Sequence, residues 1–227
     1  MTPRICVSIL PKDMTEAISL IKKAENEKAD LVEVRFDCLE ESRNLSDLVN
    51  SSTVPLIATN KLRSENGFFN GSENERRSTL INAAKNGFEF IDIDFFSSMR
   101  NETINKIKEL GAKTVVSFHK FDGILNVSSL EKVLDEQISI GADVCKIVVT
   151  ANQIEDNLPV LSFVSFASTK TKLVCFCMGN EGKPSRLLST LFGAYFTFAS
   201  LTGKSTAPGQ MSITEMRKAY SLLGIKQ

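Results

Sequence analysis

Short, uninterrupted apolar runs rich in Val, Ile and Phe recur along this chain of 227 residues, at 5–10, 31–36, 54–59, 90–95, 114–118, 144–149, 173–177 and 194–198. Alternation of apolar and polar residues would mark a sheet with one wet face. Continuity instead marks strands buried on both faces, the signature of a parallel sheet. Polar segments of helical period lie between the runs. In 13–27, Met14, Ala17, Ile18, Ile21 and Ala24 fall on one helical face, and 73–86, 98–110, 128–140 and 214–222 behave similarly. Gly87, Gly111, Gly141 and Gly224 follow four of these segments as helix stops. Eight strands with helices after most of them predict an α/β fold, a (β/α)8 TIM barrel slightly below its usual ~250 residues. The rival, a doubly wound open sheet, needs a glycine-rich turn after its first strand. Leu10-Pro11-Lys12-Asp13 stands there instead. No linker, repeat or low-complexity tract interrupts the chain, so residues 1–227 are expected to form a single domain.

Lys and Arg together number 27, as do Asp and Glu, so no net field favours a polyanion and nucleic acid is not expected as a partner. The longest uncharged stretch, 187–203, is shorter than a membrane helix and peppered with Ser, Thr and Gly, so no membrane span is expected. The first nine residues lack the apolar core of a signal peptide. The five cysteines (Cys6, Cys38, Cys145, Cys175 and Cys177) are odd in number and lie mostly in apolar segments. That usage predicts reduced thiols and a cytoplasmic location. Cys175 and Cys177 share a strand face, but a single histidine leaves few further ligands, so they are read as packing and no metal is expected.

In a barrel of this type the C-terminal strand ends form the active face. Unusual polar residues cluster at those ends. Strand two offers Glu33, Arg35 and Asp37 at alternate positions; strand four offers Asp92 and Asp94; strand five offers Ser117 and His119. Inward charges are costly unless they pair or meet a ligand, and for any single acid a structural ion-pair network is an equal alternative. Lys146 interrupts the apolar run of strand six. It can snorkel to the rim, or it can act as a buried amine that forms Schiff bases with ketones. His119, the only histidine, supplies the side chain that titrates nearest neutrality. Together, on neighbouring strand ends, the two favour carbonyl chemistry through an imine. After strand seven, 177–186 carries two glycines and Arg186, whose fork can hold a carboxylate. After strand eight, 205–210 carries hydroxyl and amide donors, where barrels commonly bind anions.

Taken in order, these segments resemble the type I 3-dehydroquinate dehydratases of the shikimate pathway of aromatic amino acid biosynthesis. The likeness rests on Glu33-Val34-Arg35-Phe36-Asp37, Ser117-Phe118-His119, Lys146 within Gly141–Lys146, Met178-Gly179 through Ser185-Arg186, and Ala207-Pro208-Gly209-Gln210. It implies a cofactor-free barrel lyase, often a homodimer, that dehydrates 3-dehydroquinate to 3-dehydroshikimate. Lys146 matches the family's imine-forming lysine and His119 its proton-transfer histidine. Glu65 matches the acid that orients the histidine. Glu33 and Arg35 match groups around the substrate hydroxyls, Met178 a wall of the pocket, Arg186 and Gln210 the carboxylate site, and Thr206 a position where serine is usual. The chain departs from the family at Thr59-Asn60-Lys61-Leu62-Arg63-Ser64-Glu65-Asn66-Gly67, where Lys61 replaces an arginine and Asn66 a glycine. Lysine is a point charge without a fork. Either Lys61 or Arg63 can take the arginine's place, and the sequence leaves both open. Two other functions are compatible with the same residues: a class I aldolase, which would more often need a phosphate site in the last loops, and an inactive barrel serving as a binding module.

Overall fold

The computed structural model describes residues 2–40, 44–204 and 209–226. Its strands are β1 (Ile5–Ile9), β2 (Leu31–Arg35), β3 (Leu56–Thr59), β4 (Phe90–Asp94), β5 (Lys113–His119), β6 (Val144–Thr150), β7 (Leu173–Met178) and β8 (Thr197–Ala199). They pair in parallel in the order β7-β6-β5-β4-β3-β2-β1-β8. The ends of that order meet: the backbone N–H of Tyr195, just ahead of β8, donates to the Leu173 carbonyl of β7 at 2.7 Å. Around the sheet run α1 (Met14–Asn26), α2 (Leu45–Ser51), α3 (Glu73–Lys85), α4 (Arg100–Glu109), α5 (Val127–Ser139), α6 (Asn157–Ala167), α7 (Lys183–Leu188) and α8 (Ile213–Leu222). This is the expected (β/α)8 barrel.

Three of these helices lie outside the five that periodicity predicts. In α6, Val160, Phe163 and Val164 are buried while Leu158 and Phe166 are exposed, so apolar residues occupy both faces and no polar stripe marks the helix. The helices α2 and α7, with seven and six residues, are too short for a period to register. The last strand also starts later than expected, because residues 194–196 lead into it as an irregular segment. Where helices were anticipated, local chemistry fixes their starts. Asp13 caps α1 through the Glu16 N–H, and Ser72 with Glu75 and Ser212 with Glu215 form capping boxes on α3 and α8.

The interior of the barrel changes character along its axis. Cys6, Leu31, Ile57, Phe90, Val115, Val144, Val174 and Phe196 pack together as its apolar lower part. Moving up each strand by two residues keeps the side chain pointing inward. That step leads to Ser8, Glu33, Thr59, Asp92, Ser117 and Lys146, all buried, with Phe176 and Phe198 beside them. The period of two thus places these six polar residues at one level, above a dry floor. Asp37 is an exception to the expected alternation, since it leaves β2 and lies in a 3-10 turn (Phe36–Cys38).

Above β3 the chain turns back on itself tightly. Phe69 donates its N–H to the Lys61 carbonyl at 3.0 Å, and a Cβ at Gly67 would lie 2.1 Å from that same oxygen. Only glycine allows this approach. The turn holds Lys61 inward and leaves Arg63 exposed.

Candidate active site

A cavity of about 380 Å³ opens at the C-terminal strand ends. It brings together Lys146, His119, Glu65, Glu33, Arg35, Lys61, Met178, Arg186 and Gln210. Thr206 lies outside the described residues. Of the two cations left open by the sequence, Lys61 lines the cavity and Arg63 does not.

The amine of Lys146 does not rise to the rim. It points into the barrel, 3.1 Å from Asp92 Oδ2, 3.5 Å from Glu33 Oε1 and 4.2 Å from the centre of the Phe198 ring. Two carboxylates and an aromatic face therefore compensate the buried nitrogen. Glu33 is itself fixed, accepting from the Ser8 hydroxyl at 2.5 Å and from the Thr59 hydroxyl at 2.9 Å. Lys61 Nζ lies 3.0 Å from Asp92 Oδ1, 3.3 Å from Asp94 Oδ2 and 2.6 Å from Ser117 Oγ. Burial alone would lower the pKa of Lys61, but Asp92 and Asp94 outweigh it and raise it above the ordinary lysine value. Lys61 is thus a fixed cation. Burial likewise pushes the Asp92 carboxyl up, yet Lys146, Lys61 and the Ser117 hydroxyl together hold it well below the usual range.

His119 ends β5 one strand from Lys146, and the β5–β6 register sets Ser117 beside Lys146 and His119 beside Val148. Its pKa falls well below the ordinary value, first through burial and then through Lys61 and Lys146, with Asp92 opposing. At neutral pH the imidazole is therefore uncharged and able to accept a proton. Among the described residues it makes no side-chain hydrogen bond. Glu65, the acid expected to orient it, lies 4.0 Å from Lys61, and its buried Oε2 has no hydrogen-bond partner.

Arg186, in the last turn of the short helix α7, is buried, and its guanidinium lies 4.3 Å from the Phe176 ring centre. Its Nε has no hydrogen-bond partner and no carboxylate pairs with it among the described residues. Burial pushes its pKa down to about 10. A desolvated guanidinium without an anion is a costly arrangement, which a bound carboxylate would relieve. Arg35 differs. Its fork is already engaged by Asp37, at 2.8 and 2.6 Å, which fixes where it faces the cavity. The glycines of the two last loops serve close packing: a Cβ on Gly209, whose φ is +70°, would lie 2.0 Å from the Gly179 carbonyl. That contact presses the segment carrying Gln210 against the loop after β7.

The sequence pattern offered Asp92 only as an inward acid at a strand end, with no assigned role, and did not mark Ser8, Thr59, Phe121 or Phe198; all five touch the cavity or its lysines. The available signal was positional. Each of Ser8, Thr59 and Asp92 stands two residues above an apolar inward residue of its strand.

A parallel barrel with a buried amine, a neutral imidazole and a guanidinium that no described carboxylate pairs, all around one mouth, has the layout of a carbonyl-processing enzyme. The sequence profile described as type I 3-dehydroquinase matches residues 5–227. The chain belongs to that family, whose members are hydro-lyases. It is 34% identical to the 3-dehydroquinate dehydratase of Methanococcus maripaludis strain S2 over 96% of this chain and 99% of the relative. It is 32% identical to that of Methanothrix thermoacetophila over 99% and 94%. Among solved structures, the 3-dehydroquinate dehydratase of Geobacillus kaustophilus superposes with a TM-score of 0.90 at 26% identity, covering 98% of this chain and 91% of that one. The type I enzyme of Clostridium difficile with covalently modified comenic acid gives 0.88 at 25%, covering 98% and 92%.

Proposed function

We propose that the chain dehydrates 3-dehydroquinate to 3-dehydroshikimate through an imine on Lys146. The observation that carries this reading is the convergence of Lys146, His119 and the unpaired Arg186 on one cavity. Arg186, with Gln210 and Thr206, receives the substrate carboxylate, while Glu33, Arg35 and Lys61 face the hydroxyls and Met178 walls the pocket. The Lys146 nitrogen adds to the ketone; of the three protons on its ammonium, two leave with the carbonyl oxygen as water and the third stays on nitrogen as the iminium. The iminium acidifies the neighbouring carbon. His119 takes a proton from that carbon, giving a neutral enamine, and Glu65 orients its ring. The electron pair then expels the hydroxyl, which leaves with the proton held by His119. Water finally hydrolyses the product imine and returns the Lys146 amine. No cofactor enters, because the imine nitrogen is itself the electron sink.

The enzyme works in the cytoplasm as one barrel domain and as a homodimer. Exposed Ile154 and Leu158 at one end of α6, with Phe166 and Phe192 at the other, support a pairing face for a second copy. Light scattering of the purified protein reads that state directly.

Incubation with 3-dehydroquinate and borohydride tests the chemistry. A substrate-sized adduct on Lys146, absent from Lys146→Ala, is expected. Turnover that survives Lys146→Ala would dismiss the mechanism.

A further inference from the structure

One carboxylate stands between two lysines. Asp92 gives Oδ2 to the Lys146 amine at 3.1 Å and Oδ1 to Lys61 at 3.0 Å, while the Ser117 hydroxyl donates to Oδ1 at 2.7 Å. Glu33 is farther from Lys146, at 3.5 Å, and both its oxygens already accept hydroxyls. Asp92 is therefore the nearest anion to the nitrogen on which the imine would form. We infer that Asp92 is the counter-ion of the Lys146 iminium and that Lys61 is a positioning residue that shares this counter-ion, so that the iminium can give up its charge.

This role rests on the imine reading above and on the charge the nitrogen carries through it. Ammonium plus ketone becomes iminium plus water, so the nitrogen carries one positive charge before and after condensation. A carboxylate already fixed opposite that nitrogen stabilises both states with no reorganisation. Loss of the carbon-bound proton to His119 then converts the iminium to a neutral enamine. A counter-ion compensated by Lys146 alone would be left as an unpaired buried charge at that moment, which is strongly unfavourable. Here Lys61 stays charged and stays bound to Asp92, and Asp94 at 3.3 Å and Ser117 at 2.6 Å hold Lys61 in place. A lysine suits the task because one nitrogen reaches Asp92, Asp94 and Ser117 together.

Two substitutions should act in opposite directions. In Lys61→Met the iminium has the whole of Asp92 and is reluctant to lose its charge. The fraction of enzyme trapped by borohydride at saturating 3-dehydroquinate should rise, and kcat should drop by about a hundredfold, the scale of stranding a buried charge. Lys61→Arg should restore kcat. In Asp92→Asn the iminium loses its counter-ion, so the trapped fraction should fall and KM should rise. A purely structural role would move both variants the same way, and that result, or unchanged trapping in both, would overturn the inference. Should Asp92→Asn fail to fold, Lys61→Met against Lys61→Arg still decides: trapping that does not rise in the methionine variant overturns it. Absence of any Lys146 adduct in the unmodified enzyme would remove the imine reading and this inference together, whereas a normal adduct with the wrong variant pattern removes the inference alone.

Discussion

The imidazole of His119 lies parallel to the ring of Phe121, with centroids 6.0 Å apart and planes 9° from each other. Phe121 lies at the mouth, partly in water, and covers the only histidine in the chain. That cover contributes to the desolvation that lowers the pKa of His119 below the ordinary 6.5. A general base must be unprotonated, so kcat/KM should stay level as pH falls from neutrality through 6.5 and break only at lower pH. Phe121→Ala should let water reach the ring and move that break upward. The same shift has a stability consequence. The unfolded chain takes up the histidine proton near 6.5 and the folded chain only further down, so this contribution is intact above 6.5 and is lost as pH falls below it. A rate profile that already breaks at the ordinary value would contradict this account.

Removing the Arg186 charge should weaken binding while strengthening the fold. Arg186→Met keeps most of the side-chain volume but forfeits a charge-assisted contact to a carboxylate, a loss of about 3 kcal/mol and so roughly a hundredfold in kcat/KM. In the unliganded protein it also removes a buried cation that no carboxylate among the described residues pairs, so Tm should rise. Steady-state kinetics and a melting curve on one sample check both halves. A fall in Tm would mean that the guanidinium is better compensated than its geometry indicates.

Thiol reactivity should be low in the native protein. Burial pushes Cys145 up to about 12 and Cys177 to about 11, and it raises Cys6 and Cys175 as well. Cys38, raised to about 11 by burial and by Asp37, is the least enclosed of the set. A thiolate is the reactive form. A thiol reagent near neutral pH should therefore label Cys38 slowly and the others only after denaturation, when all five react.

Gly209→Ala should raise KM more than it lowers Tm. The added methyl group would meet the Gly179 carbonyl, and the backbone at φ +70° disfavours any side chain. The segment carrying Gln210 would be displaced from the cavity, while the strands and the barrel floor would stay as they are. A variant with unchanged KM would show that this loop contact does not set the pocket.

The parts of the molecule that were readable in the sequence are those carried by local pattern. Lys146 announced itself because a charge broke an apolar strand, and the strand ends that hold Glu33, Arg35 and His119 followed from the barrel. What could not be read depends on distances between segments. Asp92 looked like any buried acid, since its partners Lys61 and Lys146 stand 31 and 54 positions away and meet it only when the strands close. The choice between Lys61 and Arg63 turned on a backbone reversal stabilised at Gly67, which no spacing rule contains. Helix α6 was hidden for the opposite reason, because it is apolar on the face that packs inward and on the face that looks out.

The dry floor beneath the polar level has a consequence for traffic. Phe90, Phe196 and their neighbours close the lower end with packed hydrocarbon, so the barrel is a cup rather than a pipe. Ketone, product and the water molecules shed along the way must all cross the same rim, past Phe121 and Met178. Among the described residues this rim is the way in and out, so entry and exit are consecutive events, and a product that lingers blocks the next substrate.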